Sequence, residues 1–244
     1  MKNLLTRTLT GILFVVVVVG AILLHPLSSA ALFLLIAILG YIELIRLVNR
    51  DITRIFLLPG LITGILIYAI VFLVSINILP FYGMALIIPV LFIAPLYEWI
   101  SGRRPTNKST TAEWAAVFYI FIPFSLTNFL LDIRLPGFEH EPFLLLSVLI
   151  LVWANDVFAY LGGIIYGRHK LAPVISPTKT WEGTLTGIAA AVAAGIILSE
   201  FGTYLFLTEW VILAVIVAVA GILGDLGESR LKRSIRIKDS GKLL

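Results

Sequence analysis

Apolar residues in this chain fall in blocks of about 20, separated by short polar or proline-bearing breaks. A block of that length crosses a ~30 Å hydrocarbon core as an α-helix. The pattern places eight spans at about residues 9–24, 27–48, 55–79, 81–100, 114–131, 143–165, 184–199 and 210–224. Pro26, Asn77 with Pro80, and the polar stretch 101–113 supply breaks, since a turn inside hydrocarbon would leave backbone groups unpaired. The expected fold is an all-α polytopic membrane bundle of about eight transmembrane helices. It is read as one membrane domain over 1–244, with an N-terminal helical part (1–142) and a motif-bearing part (143–244). Lys2 and Arg7 ahead of the first run, with small residues at 28–30, have the outline of a secretory signal peptide. The run is long for that role and a second follows at once, so an uncleaved first helix is the better account.

Composition agrees with burial in lipid: 60% of the 244 residues are hydrophobic, 13% are charged, and mean hydropathy is +1.06. There is no cysteine, which excludes disulfides, thiolate metal sites and cysteine nucleophiles. Charge tests this layout independently. With the N-terminus inside, Arg134 is the one member of the 18 lysines and arginines that falls in an outer segment. The positive-inside tendency then favours an even number of spans with both termini cytoplasmic. The basic face is read as topology and contact with anionic headgroups, not as a nucleic-acid surface.

Ionisable residues at membrane depth are costly and face a bundle interior or a wet cavity, which makes the few present here site candidates. Asp156 lies inside the sixth span beside Asn155, with Tyr160 and Gly163 at i+4 and i+7 on the same face. The competing account is an Asp hydrogen-bonded to a neighbouring helix for packing. At the end of the last span, a continued helix would gather Asp225, Glu228, Ser229, Lys232 and Arg236 within an arc of roughly 100°. Carboxylates followed by cations suit a divalent metal holding a polyphosphate, because Mg²⁺ takes one or two carboxylates plus phosphate oxygens and water. An ordinary helix end with i,i+4 pairs such as Glu228 with Lys232 is the plainer alternative. Between them, the loop 166–183 carries Ser176, Lys179 and Thr180 ahead of a helix N-terminus, which can offer donors and a cation to phosphate. His169 has no second His or Cys nearby and reads as a solvated loop residue. Glu43 and Glu98 are read as interface or packing residues, and Trp99, Trp114 and Trp210 as interfacial anchors.

These residues resemble the bacterial phosphatidate cytidylyltransferase (CDP-diglyceride synthetase) family. The likeness rests on Asn155-Asp156 with Ala159-Tyr160, on Gly167-Arg-His-Lys170-Leu-Ala-Pro, and on Ser176-Pro-Thr-Lys179-Thr-Trp-Glu-Gly183. It continues through Gly224-Asp225-Leu-Gly-Glu228-Ser229, Lys232-Arg233 and Lys238-Asp239-Ser-Gly241. Order and spacing agree across 150–242, while the first 150 residues agree in being hydrophobic helices. The resemblance implies Mg²⁺-dependent condensation of CTP with phosphatidic acid at the cytoplasmic face of the bacterial inner membrane, giving CDP-diacylglycerol and pyrophosphate; a second cation fits the same scheme. It implies that Asp225 binds metal, that Asp156 binds or orients metal and nucleotide, and that Ser176, Lys179, Ser229, Lys232, Arg233 and Lys238 hold phosphates. Asp239 is carried over as a motif position among the catalytic residues.

The family signature continues with a Pro-Gly-His-Gly-Gly stretch, Leu-Asp-Arg-x-Asp and a further helix, whereas this sequence ends at Leu244. The expectation is therefore a shortened member of the family, or one whose missing segment is supplied by a separate chain; a homodimer is a further possibility. The rivals are an inactive shortened member and a membrane transporter. A transporter predicts no gathering of polar motifs on one membrane face, and here they converge on the cytoplasmic side. The Asp-Gly-x-x-Ala-Arg run of a CDP-alcohol phosphotransferase is absent.

Overall fold

The computed structural model describes residues 2–48, 58–100, 113–131, 142–202 and 205–234. Its helices are α1 (Lys2–Leu24), α2 (Pro26–Val48), α3 (Leu58–Ser75), α4 (Ile87–Leu91), α5 (Ile93–Ile100), α6 (Glu113–Leu130), α7 (Phe143–Tyr166), α8 (Trp181–Ser199) and α9 (Leu207–Ser234). Six of these, α2, α3, α6, α7, α8 and α9, are long and apolar enough to cross a membrane, and the chain is an integral membrane protein.

The other two expected spans are shorter apolar helices, Leu9–Leu24 and Phe81–Tyr97. The span expected at 81–100 is not one continuous helix: a 3₁₀ segment Phe81–Leu86 leads into the short α4 and α5. Pro89 and Pro95 each remove a backbone donor there, which explains the interruptions. α6 is irregular for the same reason, with a π turn at Val117–Phe121 just before Pro123 and a 3₁₀ end at Thr127–Leu130.

The chain divides into two compact units, Met1–Pro142 and Phe143–Leu244. In the first, α2, α3 and α6 pack on one another. Tyr41 and Phe121 lie with ring centroids 5.6 Å apart, and Phe33 and Phe124 at 6.1 Å. The buried Tyr68 hydroxyl donates to Ala30 O at 2.9 Å. Gly64 lets α3 sit directly against the Phe121 ring, where a Cβ would have no room.

In the second unit α7 and α8 make the most extensive helix contact, and α9 packs chiefly on α8. The reason is a stripe of small buried residues on α8, Gly183, Gly187, Ala191 and Gly195, recurring every four positions. Lipid tails are as apolar as leucine, so helices in a membrane associate where small residues let backbones approach. A Cβ at Gly187 would lie 2.7 Å from Asn155 O and 2.8 Å from Ala159 Cβ, and one at Gly183 would lie 2.6 Å from Ala159 O. Gly195 faces α9, where a Cβ would come 3.1 Å from both Trp210 O and Ala214 Cβ. Trp210 is fully buried and meets Phe143 edge-on at 6.0 Å, tying the starts of α9 and α7 together.

The connection from α7 to α8 is a small antiparallel hairpin, β1 (Lys170–Ala172) and β2 (Ser176–Thr180), with Lys170 opposite Thr180 and Ala172 opposite Ser176. It is the only sheet among the described residues. Thr180 ends β2 and caps α8, its side chain accepting from Gly183 N at 3.2 Å. Glu182, in the first turn of α8, accepts from the backbone N–H groups of Arg168 (3.1 Å) and His169 (3.2 Å) and meets His169 Nδ1 at 2.6 Å. The hairpin is thereby fastened at its base to the helix it precedes.

Three outcomes are expected from these contacts. Gly187→Leu will lower the thermal unfolding midpoint in detergent, at a cost of about 1–3 kcal/mol from overpacking. Gly224→Ala, whose new Cβ meets nothing within 4 Å, will leave the midpoint unchanged or slightly raised. Glu182→Ala will speed amide hydrogen exchange across the hairpin, residues 168–180, while leaving α9 protected; unchanged exchange there would show that the Glu182 clamp holds nothing.

Candidate functional site

The second unit contains an open cleft of about 710 Å³ where α7, the hairpin and α9 meet. Three charged side chains line it: Asp156 from α7, Lys179 from β2 and Asp225 from α9. Thr178, Thr180 and Thr184 add hydroxyls, and Tyr160, Ile164 and Ile222 supply apolar surface. Each polar group arrives by a local cause. Asp156 is brought to the cleft by a helix held tight to α8 by glycine. Lys179 immediately precedes the helix cap, so the hairpin fixes its backbone. Asp225 is in place because α9 continues unbroken through Ser234, beyond the apolar stretch.

Lys179 Nζ donates to Asp225 Oδ2 at 2.7 Å, across 46 residues of sequence. The side chains are 26% and 59% exposed, so water screens the pair and its net worth is about 1 kcal/mol or less. Asn155, almost wholly buried, donates to Asp156 Oδ1 at 3.2 Å. The charges of Asp225 and Lys179 both act on Asp156, so the three groups form one electrostatic cluster. Two carboxylates supply hard oxygen donors of the kind a divalent cation takes, and an ammonium with the Thr178 and Thr180 hydroxyls supplies donors to phosphate.

The structure therefore brings together Asp156, Lys179 and Asp225 of the residues expected from sequence. Tyr160 and Gly163 line the same cleft. Ser176 opens β2 and is buried outside the lining. Ser229, Lys232 and Arg233 continue along α9 past Asp225 and do not line the cleft; Lys232 pairs with Glu228 at 2.6 Å, as an ordinary helix end would have it. Lys238, Asp239 and Arg236 lie outside the described residues. No group of three or more His, Cys, Asp or Glu is assembled among the described residues. Sequence reasoning did not single out Thr178 and Thr184, nor Glu182 as the partner of His169, which is a clamp residue and not simply a solvated one. The signal for Glu182 was its place two residues after the capping Thr180, where a carboxylate favours a helix N-terminus.

Comparison with known proteins bears on the chain as a whole. A family model described as the cytidylyltransferase family matches residues 5–244. A phosphatidate cytidylyltransferase of Haemophilus influenzae is 34% identical over 181 residues, covering 70% of this chain and 60% of that protein. Proteins of the same name from Staphylococcus epidermidis and Staphylococcus aureus (strain COL) are 30% and 31% identical, each match covering 98% of this chain and 88% of the relative. A glycine-packed bundle with its polar cleft and a family match over almost its whole length lead to one statement of kinship: this chain belongs to the cytidylyltransferase family.

Proposed function

We propose that the chain transfers a cytidylyl group from CTP to phosphatidate, forming CDP-diacylglycerol and releasing pyrophosphate. The observation that carries this reading is the convergence of Asp156, Lys179 and Asp225 on one cleft of a membrane bundle whose relatives are named phosphatidate cytidylyltransferases. A phosphate oxygen of phosphatidate attacks the α-phosphorus of CTP; the bond from that phosphorus to the bridging oxygen breaks, and pyrophosphate leaves with the electron pair. No covalent enzyme intermediate is needed, so the residues act by positioning and by balancing charge.

Asp156 and Asp225 fit a divalent cation, for which Mg²⁺ is the natural choice, through their carboxylate oxygens. When bound, that ion supplies charge neutralisation to the triphosphate. Lys179 holds a phosphate of CTP through its ammonium, and Thr178 and Thr180 stand ready to donate from their hydroxyls, whereas the Thr184 hydroxyl already donates to Thr180 O at 2.9 Å. Asn155 keeps the Asp156 carboxylate turned by its N–H bond. Ser229, Lys232 and Arg233, on the continuation of α9, extend the phosphate-binding surface toward headgroup level, where cations attract anionic lipid. Tyr160, Ile164 and Ile222 give the cleft an apolar flank on which acyl chains can lie. The strong bias of lysine and arginine to one side supports a cytoplasmic orientation of this site in a bacterial inner membrane.

Purified protein in detergent, given CTP, phosphatidate and Mg²⁺, is expected to form CDP-diacylglycerol and pyrophosphate in equal amounts and to stop on addition of a chelator. Asp156→Asn, Asp225→Asn and Lys179→Met should each lower kcat/KM on the order of 100-fold or more, the scale seen when one preorganised electrostatic contact is removed. Full turnover by both carboxylate variants would place the chemistry elsewhere.

A further inference from the structure

The Asp225 side chain is 59% exposed, yet its Oδ2 is held by an ammonium 2.7 Å away. This pair differs in kind from Glu228 with Lys232, which are neighbours on one helix turn. Lys179 comes from β2, whose contact with α9 is otherwise slight, so the ion pair is a principal link between hairpin and helix. Asp156, Lys179 and Asp225 together carry one formal negative charge, against two if the ammonium were elsewhere. A divalent cation approaching Asp225 therefore meets a competitor that both holds the carboxylate and repels the ion. The competitor is easily moved: the pair is partly exposed, and the lysine stem is long and flexible. A polyphosphate entering beside Thr178 and Thr180 offers the ammonium a more highly charged partner than one carboxylate.

We propose that Lys179 is an exchangeable counter-ion of Asp225: it pairs with the carboxylate and passes to a phosphate when nucleotide enters, freeing Asp225 for the cation. This deepens the cytidylyltransferase reading and rests on it. Its consequence is positive coupling, since whatever draws Lys179 away raises cation affinity and, by reciprocity, the cation raises affinity for the polyphosphate. A cleft that binds metal weakly by itself and well in company with nucleotide binds the pair as a unit.

The test is Mn²⁺ binding to the full chain in detergent, followed by electron paramagnetic resonance with no nucleotide present. Lys179→Gln should bind Mn²⁺ about 3- to 10-fold tighter than the unaltered chain, the range set by losing one screened ion pair and one repulsive charge. Lys179→Arg should bind as the unaltered chain does, and Asp225→Asn should bind more weakly. Equal or weaker binding by Lys179→Gln, with Asp225→Asn still impaired, overturns the exchange while leaving Asp225 as a cation ligand. Unchanged binding in Asp225→Asn overturns both the exchange and the cation role on which it rests. If Lys179→Gln does not elute as a monodisperse particle, the unaltered chain decides: labelling of Lys179 by an amine-reactive reagent, read by mass spectrometry, should rise on adding Mn²⁺, and a constant rate rejects the exchange.

Discussion

Backbone contact between α7 and α8 is the constraint from which the second unit follows. In hydrocarbon, burying one apolar helix against another gains little over burying it in lipid, so close packing must select the partner. Gly183 and Gly187 provide it by leaving space that Ala159 and the Asn155 carbonyl fill. Because Asp156 is next to Asn155, and Lys179 is one residue before the cap of α8, this approach also sets where the carboxylate and the ammonium can meet. The packing of the helices and the composition of the cleft are one feature seen at two scales. The hairpin depends on it too, since its base is tied to the first turn of α8 through Glu182.

Charge is then distributed according to how firmly it must be held. The Glu182 carboxylate takes two backbone amides and an imidazole, a fixed arrangement that gives the hairpin a defined position. Lys179 and Asp225 share one contact at the solvent-open side, which is cheap to break. A rigid frame around a replaceable ion pair suits a reaction that brings in a highly charged triphosphate and releases a highly charged pyrophosphate. Retaining either by a permanent cation cluster would slow release, whereas on the proposed exchange a cleft of small net charge would take up its cation together with the triphosphate.

Much of the fold was legible because membrane helices announce themselves by length and hydropathy, and the six long helices fall where the apolar blocks do. The 81–100 segment misled because its hydropathy is continuous while Pro89 and Pro95 interrupt the hydrogen-bond ladder; composition registers the first and geometry obeys the second. The hairpin was hidden because its strands, three and five residues long, have no alternating pattern. Asp156, Lys179 and Asp225 could be singled out as chemically unusual for their depth or place and were joined in one site through the family resemblance, but their direct contact was not legible: the Lys179–Asp225 pair links hairpin to helix across 46 residues, and nothing local encodes it. The His169–Glu182 pair was missed for the same reason at shorter range, because its 13-residue separation is closed by a turn the sequence pattern did not reveal.

The central claim is that the triphosphate of CTP lies in the α7–hairpin–α9 cleft between Lys179 and Asp225. An experimental structure with a non-hydrolysable CTP analogue and Mg²⁺ tests it most directly. The account predicts phosphate density within hydrogen-bond reach of Lys179 Nζ, a cation on Asp225, and the Lys179–Asp225 contact broken. Analogue bound outside this cleft, or inside it with that ion pair intact and no cation on Asp225, would contradict it.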